Sequence, residues 1–166
     1  NGKEIPKRTV TAFINQQKDF LESQKLSFFE MTVGLAFDYF ANEKVDIAVI
    51  EVGLGGRLDS TNIITPQVSV ITNIGYDHMQ FLGETLPEIA GEKAGIIKQH
   101  IPIIIGEFQS EVAYVFQNKA TEKNTSITFA SQDTADYRTD LLGDYQKSNT
   151  KTAVAVIKKL PGFLVS

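Results

Sequence analysis

Residues 69–98 read SVITNIGYDHMQFLGETLPEIAGEKAGIIK and contain the clearest structural pattern in the chain. Their first part belongs to a β-branched run over 68–74 (VSVITNI), and a run without alternation is typical of a strand covered on both faces. Thr85 and Glu88 then have the Thr-x-x-Glu spacing of a capping box, which predicts a helix from there to about Lys98. A buried strand followed by a helix is the repeating unit of α/β domains.

The same alternation extends in both directions from this stretch. The sequence predicts further strands over 46–52 (DIAVIEV), 101–105 and 126–130, and further helices over 9–24, 110–123 and 146–159. Ser27 and Glu30 form a second capping box, before a helix to about Lys44 that is apolar on nearly all sides and is expected to be buried in a larger assembly. Strands that alternate with helices imply right-handed βαβ units. The predicted fold class is therefore α/β, with a mainly parallel sheet flanked by helices in one domain.

The composition excludes several classes of function. The 166 residues include 16 Lys and Arg against 20 Asp and Glu, which gives a formal net charge of −4. A mildly acidic chain without a basic run is a poor ligand for nucleic acid or an anionic membrane, and no apolar run approaches the ~18 residues of a membrane-spanning helix. Cysteine is absent, which excludes disulfides and thiolate metal sites and fits a reducing compartment. No signal peptide opens the chain, which begins at Asn1 and is expected to be a piece of a longer protein.

Three polar residues stand at the ends of two predicted strands. Glu51 is near the carboxyl end of the first strand, and Asp77 and His78 come just after the carboxyl end of the next. Ligands of open α/β sheets bind outside the carboxyl ends of the strands, so these side chains are expected to converge there. A carboxylate beside an imidazole indicates a divalent-cation site or an acid–base pair. The alternative is structural: Glu51 caps a helix or pairs with Arg57, and His78 is an ordinary turn residue.

A glycine-rich loop follows the first of these strands, over 53–59 (GLGGRLD). It does not match a dinucleotide-binding fingerprint, because Leu58 stands where the third glycine belongs and no helix is predicted to follow. The glycines are expected instead to let the backbone pass close to a ligand or another loop. No Gly-x-x-x-x-Gly-Lys-Ser/Thr segment occurs in these residues, so the sequence contains no recognisable triphosphate-binding loop.

Lys93 is the least expected residue of the helix that follows Thr85. Ile89 and Ile96 mark the apolar stripe of this helix, and Lys93 shares that stripe because it lies one helical turn from each of them. A lysine there either extends its ammonium to solvent along apolar surface or takes part in chemistry as a neutral amine. Sequence spacing alone leaves both interpretations open.

Several stretches together carry a resemblance to a known family. They are IAVIEVGLGGRLDSTNII (47–64), SVITNIGYDHMQFLGETLPEIAGEKAGIIK (69–98) and LLGDYQKSN (141–149), with FFEMTVGLAFDYF (28–40) in support. The chain resembles the central ATPase domain of folylpolyglutamate synthase/dihydrofolate synthase, in the Mur ligase superfamily. The second stretch is highly specific, because it places an Asp-His pair and a Glu-Lys pair in one unbroken segment. The resemblance implies an incomplete, P-loop NTPase-like central domain over 1–160, with 161–166 as the start of a linker to a C-terminal domain.

The resemblance also implies an ATP-dependent acid–amino-acid ligase. ATP phosphorylates the carboxylate of a folate or dihydropteroate, and the amine of L-glutamate then attacks the acyl phosphate. Glu51 and His78 are implied to bind Mg²⁺, for which Mn²⁺ should substitute. Lys93 is implied to be carbamylated by carbon dioxide and, with His78, to be catalytic. The remaining implied site residues are Gln146 and Asn149 at adenine, and Arg57, Asp59 and Asn62 by the pterin or phosphate.

Three features distinguish this chain from the pattern of the family that it resembles. From the resemblance, we expect the family's phosphate loop upstream of residue 1 and the C-terminal domain that closes over ATP beyond residue 166. The segment between Ala130 and Leu141 is shorter than the family norm. We therefore expect the chain by itself to be inactive, and the full-length protein to be a cytoplasmic monomer whose partners are small molecules.

Two alternatives to a folate ligase stay open. The first is a Mur-type ligase of cell-wall synthesis, against which the 53–59 loop argues. The second is a non-catalytic nucleotide-binding module, against which the intact set of Glu51, His78 and Lys93 argues. ATP turnover with different acceptor substrates distinguishes all three.

Overall fold

The structure is a computed structural model that describes residues 2–160 and 162, and it divides into two units between Val52 and Gly53. Among these residues, the first unit contains two α-helices, and the second contains a sheet and four α-helices. The predicted linker over 161–166 lies, apart from Gly162, outside the described residues. None of the helices in the described part of the chain is both long and apolar enough to cross a membrane.

The two helices of the first unit are α1 (Lys7–Gln24) and α2 (Phe28–Glu43). The predicted capping box before α2 is confirmed. Glu30 N donates to the Ser27 hydroxyl over 3.2 Å, and Ser27 N donates to the Glu30 carboxylate over 2.7 Å. These hydrogen bonds satisfy amide groups that the first helical turn leaves without partners, and they lower the pKa of Glu30.

Helix α2 is largely exposed within the chain itself. Val33 is its one buried residue among those described, whereas the Phe28 side chain is 82% exposed. An exposed phenylalanine forgoes the free energy of transfer from water, which makes α2 a poorly covered helix in this chain. Its burial in a larger assembly stays a prediction.

The predicted strand over 46–52 is wrong for this structure. Residues 47–52 have no regular secondary structure, and Ile47 and Val49 are 52% and 91% exposed. The β-branched residues suit a strand, but a strand also needs a neighbour that supplies ladder hydrogen bonds, and this segment pairs with no strand in the described residues. Glu51 is therefore an exposed residue of an irregular segment, and the argument that placed it at the end of a buried strand does not hold here.

Three parallel strands form the sheet described in the second unit: β1 (Ser69–Ile71), β2 (Ile103–Ile105) and β3 (Ile127–Phe129), in that spatial order. Val70 pairs with Ile104, and Ile104 pairs with Thr128. The predicted parallel sheet flanked by helices is thus confirmed. The helices are α3 (Met79–Leu82), α4 (Leu86–Ala94), α5 (Ala113–Glu122) and α6 (Tyr145–Ile157), and one-turn 3-10 helices cover Ser60–Ile63 and Ala130–Gln132.

The core of the second unit is built around the central strand. Ile103, Ile104 and Ile105 are all less than 2% exposed, so β2 is covered on both faces, as its unbroken apolar run predicts. Ile89 of α4 and Phe116 of α5 are buried in the same core. Full burial of such a side chain contributes about 1.5–3 kcal/mol. This packing holds in place the strands and helices that carry the residues of the candidate site.

Helix α4 begins where the sequence predicts but ends earlier. Glu88 N donates to the Thr85 hydroxyl and Thr85 N donates to the Glu88 carboxylate, which confirms the second capping box. The last helical residue is Ala94, although the apolar pattern continues beyond it. A long-range contact explains this end, because the Glu92 carbonyl accepts a hydrogen bond from Arg57 N, a residue of the glycine-rich loop.

Candidate functional site

A carboxylate and an imidazole are exposed just beyond β1. The side chains of Asp77 and His78 are 78% and 51% exposed, and Asp77 Oδ2 lies 3.6 Å from His78 Nε2. His78 precedes α3 with a φ of 49°, and its carbonyl accepts hydrogen bonds from Phe81 N and Leu82 N over 2.8 and 3.0 Å. Leu82 is buried and anchors α3 in the core. The structure therefore presents the predicted pair side by side after the carboxyl end of β1.

This pair fits one particular kind of metal site. Among the described residues, no three His, Cys, Asp or Glu side chains form a group that could hold a metal ion. Mg²⁺ is usually bound by one or two carboxylates together with substrate phosphates and water, rather than by an all-protein cage. The Asp77 carboxylate suits that mode of binding, in which phosphate oxygens supply further ligands, whereas an imidazole nitrogen such as that of His78 is an unusual ligand for Mg²⁺. Glu51 belongs to the first unit, and its role as a ligand stays a prediction.

Asp59 holds the glycine-rich loop in shape. Its carboxylate accepts hydrogen bonds from the backbone N–H groups of Gly53, Leu54 and Thr61 over 3.0, 2.9 and 2.8 Å. Partial burial acts to raise the pKa of Asp59, but hydrogen bonds from Thr61, Leu54 and Gly53 outweigh it and lower the pKa below its ordinary value. The anionic carboxylate thus caps the 3-10 turn that follows and closes the loop on itself.

The same loop packs against the C-terminal end of α4. Arg57 N donates to Glu92 O over 2.9 Å, and the Arg57 guanidinium lies 3.0 Å from the Glu92 carboxylate. Asn62 Nδ2 donates to Gly95 O over 3.2 Å. A Cβ atom on Gly56 would lie 2.9 Å from Glu92 O, and one on Gly95 would lie 2.4 Å from Arg57 Cα. The expectation that glycines allow close backbone approach is therefore confirmed.

These contacts engage the three residues that the sequence assigned to substrate binding. Asp59 and Asn62 build the loop and join it to α4, while Arg57 has Glu92 as its ion-pair partner. Their contact with a substrate stays a prediction. Sequence analysis missed Glu92, because it lies 35 residues from Arg57 and no local pattern links the two.

Lys93 lies in the last turn of α4, beside this contact. It is half-buried, and its neighbours Ala90 and Ala94 are buried. Its ammonium makes no hydrogen bond or ion pair with another residue in the part of the chain that the structure describes. The structural interpretation is that the ammonium extends to solvent along apolar surface, and in the last helical turn the helix dipole stabilises such a cation by about 0.3–1 kcal/mol. The chemical interpretation, in which Lys93 reacts as a neutral amine, stays a prediction.

Gln146 and Asn149 lie together in the first turns of α6. Asn149 Nδ2 donates to Gln146 Oε1 over 3.2 Å. Gln146 also lines an open groove of about 570 Å³ formed by residues between 137 and 147, which include the exposed Leu141 and Leu142. The structure thus brings the two predicted adenine-binding residues together beside a groove, and their contact with adenine stays a prediction.

Comparison with known protein families identifies the class of protein to which this fold belongs. The family model described as Mur ligase middle domain matches residues 5–159. The chain therefore belongs to the Mur ligase middle domain family. The family match covers both units of the structure.

Its curated relatives specify the branch of that family. The dihydrofolate synthase/folylpolyglutamate synthase of Bacillus subtilis is 37% identical, over 93% of this chain and 43% of the relative. The folylpolyglutamate synthase of Lacticaseibacillus casei is 36% identical, over 90% of this chain and 41% of the relative. The chain thus spans less than half the length of these relatives. The alignment with the first covers 184 residues, more than the 166 of this chain, so that relative has residues that this chain lacks.

Solved structures agree with the sequence relatives. Mycobacterium tuberculosis folylpolyglutamate synthase complexed with ADP and AMPPCP matches 99% of this chain and 45% of that protein, with a TM-score of 0.87 and 30% identity. An FPGS–AMPPCP–folate complex matches 89% of this chain and 43% of that protein, with a TM-score of 0.81 and 34% identity. The parallel sheet and its helices are therefore the fold of the corresponding part of these enzymes.

Proposed function

We propose that this chain is the central ATPase part of a longer ligase that joins L-glutamate to a folate or dihydropteroate carboxylate. The observation that carries the proposal is the match to an FPGS–AMPPCP–folate complex, since that complex holds an ATP analogue and a folate together. The name of the Bacillus subtilis relative supports the same reaction. In that reaction, the terminal phosphoryl group of ATP passes to the carboxylate, and the glutamate amine then displaces phosphate to form an amide.

In this proposal, the end of β1 and the end of α4 supply the reacting region. Glu51 and His78 are ligands of Mg²⁺, which when bound offsets negative charge on the transferred phosphoryl group. Neutral Lys93 forms a bond from Nζ to the carbon of carbon dioxide and releases a proton. The resulting carbamate replaces a cation by an anion, whose oxygen atoms suit a nearby divalent cation. The half-burial of Lys93 in the last turn of α4, against which the glycine-rich loop packs, supports this role.

Substrate binding is assigned to α6 and the glycine-rich loop. The amides of Gln146 and Asn149 offer both donors and acceptors, which suits the edge of adenine. Arg57 has a guanidinium that is about half-exposed, and it retains donors for a substrate anion beyond its pair with Glu92. Asp59 and Asn62 act by holding the loop that carries Arg57, which their hydrogen bonds support.

The same proposal extends to the cellular setting. A net charge of −4 and the lack of a basic run support small-molecule partners rather than nucleic acid or membranes. The absence of cysteine supports a reducing compartment such as the cytoplasm.

Substrate-dependent ATP turnover by the full-length protein tests the proposed reaction. We expect turnover that requires a folate or dihydropteroate together with L-glutamate, and none with cell-wall precursors. Turnover with cell-wall precursors alone would instead identify a Mur-type amino-acid ligase. ATP binding without turnover on either set of substrates would identify a non-catalytic nucleotide-binding module. Either of these results contradicts the proposal.

The metal assignment predicts a changed metal requirement when His78 or Glu51 is replaced. In the full-length ligase, His78→Ala and Glu51→Gln should each raise the concentration of Mg²⁺ or Mn²⁺ needed for half-maximal turnover by about tenfold or more, because a ligand is lost. Turnover measured as a function of metal concentration gives this value.

The matched control for this prediction is His100→Ala. His100 also has a positive φ, of 62° against 49° for His78, so alanine meets a comparable backbone strain at both positions. The imidazole of His100 contacts the Asn124 carbonyl. His100→Ala should keep the normal metal requirement. An unchanged requirement in both His78→Ala and Glu51→Gln would show that the metal assignment is wrong.

A further inference from the structure

Gln109 reaches across to the backbone of a single residue, Ile74, with both ends of its amide. Gln109 Oε1 accepts a hydrogen bond from Ile74 N over 2.7 Å, and Gln109 Nε2 donates to Ile74 O over 2.8 Å. Both distances are short, and both bonds lie in a partly buried region. A side-chain amide in this geometry supplies the donor and the acceptor that a neighbouring strand would supply.

The amide continues the ladder between β1 and β2 past the end of the strands. Gly106 N donates to Ile71 O over 2.8 Å, and Glu107 N donates to Thr72 O over 2.9 Å. The chain then turns toward α5, and the Gln109 side chain provides the next pair of hydrogen bonds, to Ile74. Hydrogen bonds therefore join the segment after β1 to the segment after β2 as far as Ile74, three residues beyond the end of β1.

Gln109 is itself held firmly by the start of α5. Its carbonyl accepts hydrogen bonds from Val112 N and Ala113 N over 3.1 and 2.9 Å, and both donors belong to buried residues. Ile74 is also buried, with its side chain in the core. The core therefore fixes where Ile74 lies, and the amide of Gln109 fixes how its two peptide planes are turned.

The orientation of the two peptide planes at Ile74 sets the direction of the chain between Ile74 and His78. Gly75, Tyr76 and Asp77 alone separate Ile74 from His78, and a Cβ atom on Gly75 would meet no atom within 4 Å. Asp77 N donates to Gly75 O over 2.9 Å, which makes this connection a tight turn. Because the turn is short and the space beside its glycine is open, its course depends on the anchor at Ile74.

We propose that Gln109 is a positioning residue for His78. It touches neither the imidazole nor a substrate, and it acts by fixing the peptide planes at Ile74. The inference rests on the proposed function in one respect, namely that His78 binds the divalent cation. No local sequence pattern indicates this role, because the two residues joined by the amide are 35 positions apart.

The Gln109→Met variant tests the inference with two measurements. Methionine has a similar length but no donor or acceptor, so both backbone groups of Ile74 lose their partner. In the 166-residue chain, hydrogen exchange of the Ile74 amide should become at least about tenfold faster. In the full-length ligase, the dissociation constant for Mn²⁺, measured by the electron paramagnetic resonance of the free ion, should rise by about tenfold. Neither measurement depends on turnover.

Gln117→Met is the matched control. Gln117 lies on the exposed side of α5, and its side chain makes no hydrogen bond to another described residue. This variant should leave both the exchange of the Ile74 amide and the Mn²⁺ dissociation constant unchanged. If Gln109→Met does not fold, Gln109→Glu supplies the comparison, because a glutamate carboxylate keeps the acceptor for Ile74 N but has no donor for Ile74 O at neutral pH.

The outcomes separate this inference from the function on which it rests. Weaker Mn²⁺ binding in both Gln109→Met and His78→Ala, with the double variant no weaker than His78→Ala alone, supports positioning through His78. Normal Mn²⁺ binding in the Gln109 variant, with weakened binding in His78→Ala, overturns the inference and leaves the proposed function standing. Normal Mn²⁺ binding in His78→Ala removes the metal role of His78, and the inference falls with it.

Discussion

Replacing Lys93 by arginine should abolish most of the activity of the full-length ligase, although the positive charge is kept. A guanidinium cannot react with carbon dioxide to form a carbamate, and it stays protonated at any accessible pH. A fixed cation would also repel the divalent cation that we propose to bind nearby. Loss of a preorganised charged group at a reacting centre lowers kcat by about 10²–10³-fold. We expect that loss in both Lys93→Arg and Lys93→Ala, measured as folate-dependent ATP turnover.

The proposed carbamate on Lys93 predicts chemical effects that a simple loss of charge does not predict. Depletion of carbon dioxide should slow the wild-type enzyme, and bicarbonate should restore its activity. Small carboxylic acids should recover part of the activity of Lys93→Ala by occupying the vacated space. Lys119→Arg is the matched control, because Lys119 is also a partly buried lysine near the C-terminal end of a helix, and it pairs with Glu122. Near-normal turnover of Lys93→Arg would return Lys93 to the structural interpretation.

The Gly95→Ala substitution should dislodge the glycine-rich loop from α4. Gly95 has a φ of −60° and a ψ of −15°, which any residue adopts, so backbone preference is not the obstacle. The obstacle is space, because the new Cβ atom would lie 2.4 Å from Arg57 Cα and 2.8 Å from Arg57 N. These are backbone atoms that no side-chain rotation can move away. We expect the free energy of unfolding to fall by about 1–3 kcal/mol, measured by urea denaturation of the 166-residue chain.

Gly91→Ala on the same helix is the control for this substitution. A Cβ atom on Gly91 would meet nothing within 4 Å, and the residue is exposed within α4. Alanine is favoured over glycine inside a helix by about 1 kcal/mol, so this variant should be unchanged or more stable. The two substitutions add the same methyl group, and they differ in whether the loop lies against it. Equal stability of the two variants would contradict the close packing of the loop on α4.

Local patterns predicted most of the helices in both units and the three strands of the sheet. The Ser27–Glu30 and Thr85–Glu88 capping boxes both form, because each depends on residues only three positions apart. The unbroken apolar run at Ile103–Ile105 predicts a buried central strand, and this prediction is confirmed because the pattern lies within the strand itself. The placement of Asp77 and His78 side by side beyond β1 is likewise local, because the two residues are adjacent in the sequence.

Most of the features that the sequence could not predict depend on distant partners, and one of them, α3, is too short to show a pattern. The 46–52 segment has the composition of a strand, but pairing requires a neighbour, and composition does not show whether one is present. Helix α3 has four residues, too few to show a helical period. The engagement of Arg57 with Glu92, and of Ile74 with Gln109, joins residues that are each 35 positions apart. No pattern within either segment indicates the other.

The Arg57–Glu92 and Ile74–Gln109 contacts both span 35 residues, and this spacing sets the order in which the candidate site is assembled during synthesis on the ribosome. Chains are synthesised from the amino end at about 5–20 residues per second, so a contact across 35 residues waits roughly 2–7 seconds for its second partner. The glycine-rich loop must wait for Glu92, and the turn that leads to His78 must wait for Gln109. The end of α4 that carries Lys93 is therefore completed before the surroundings of His78. During that interval, the first partner of each contact, Arg57 or Ile74, has been synthesised, but the residue that holds it, Glu92 or Gln109, has not.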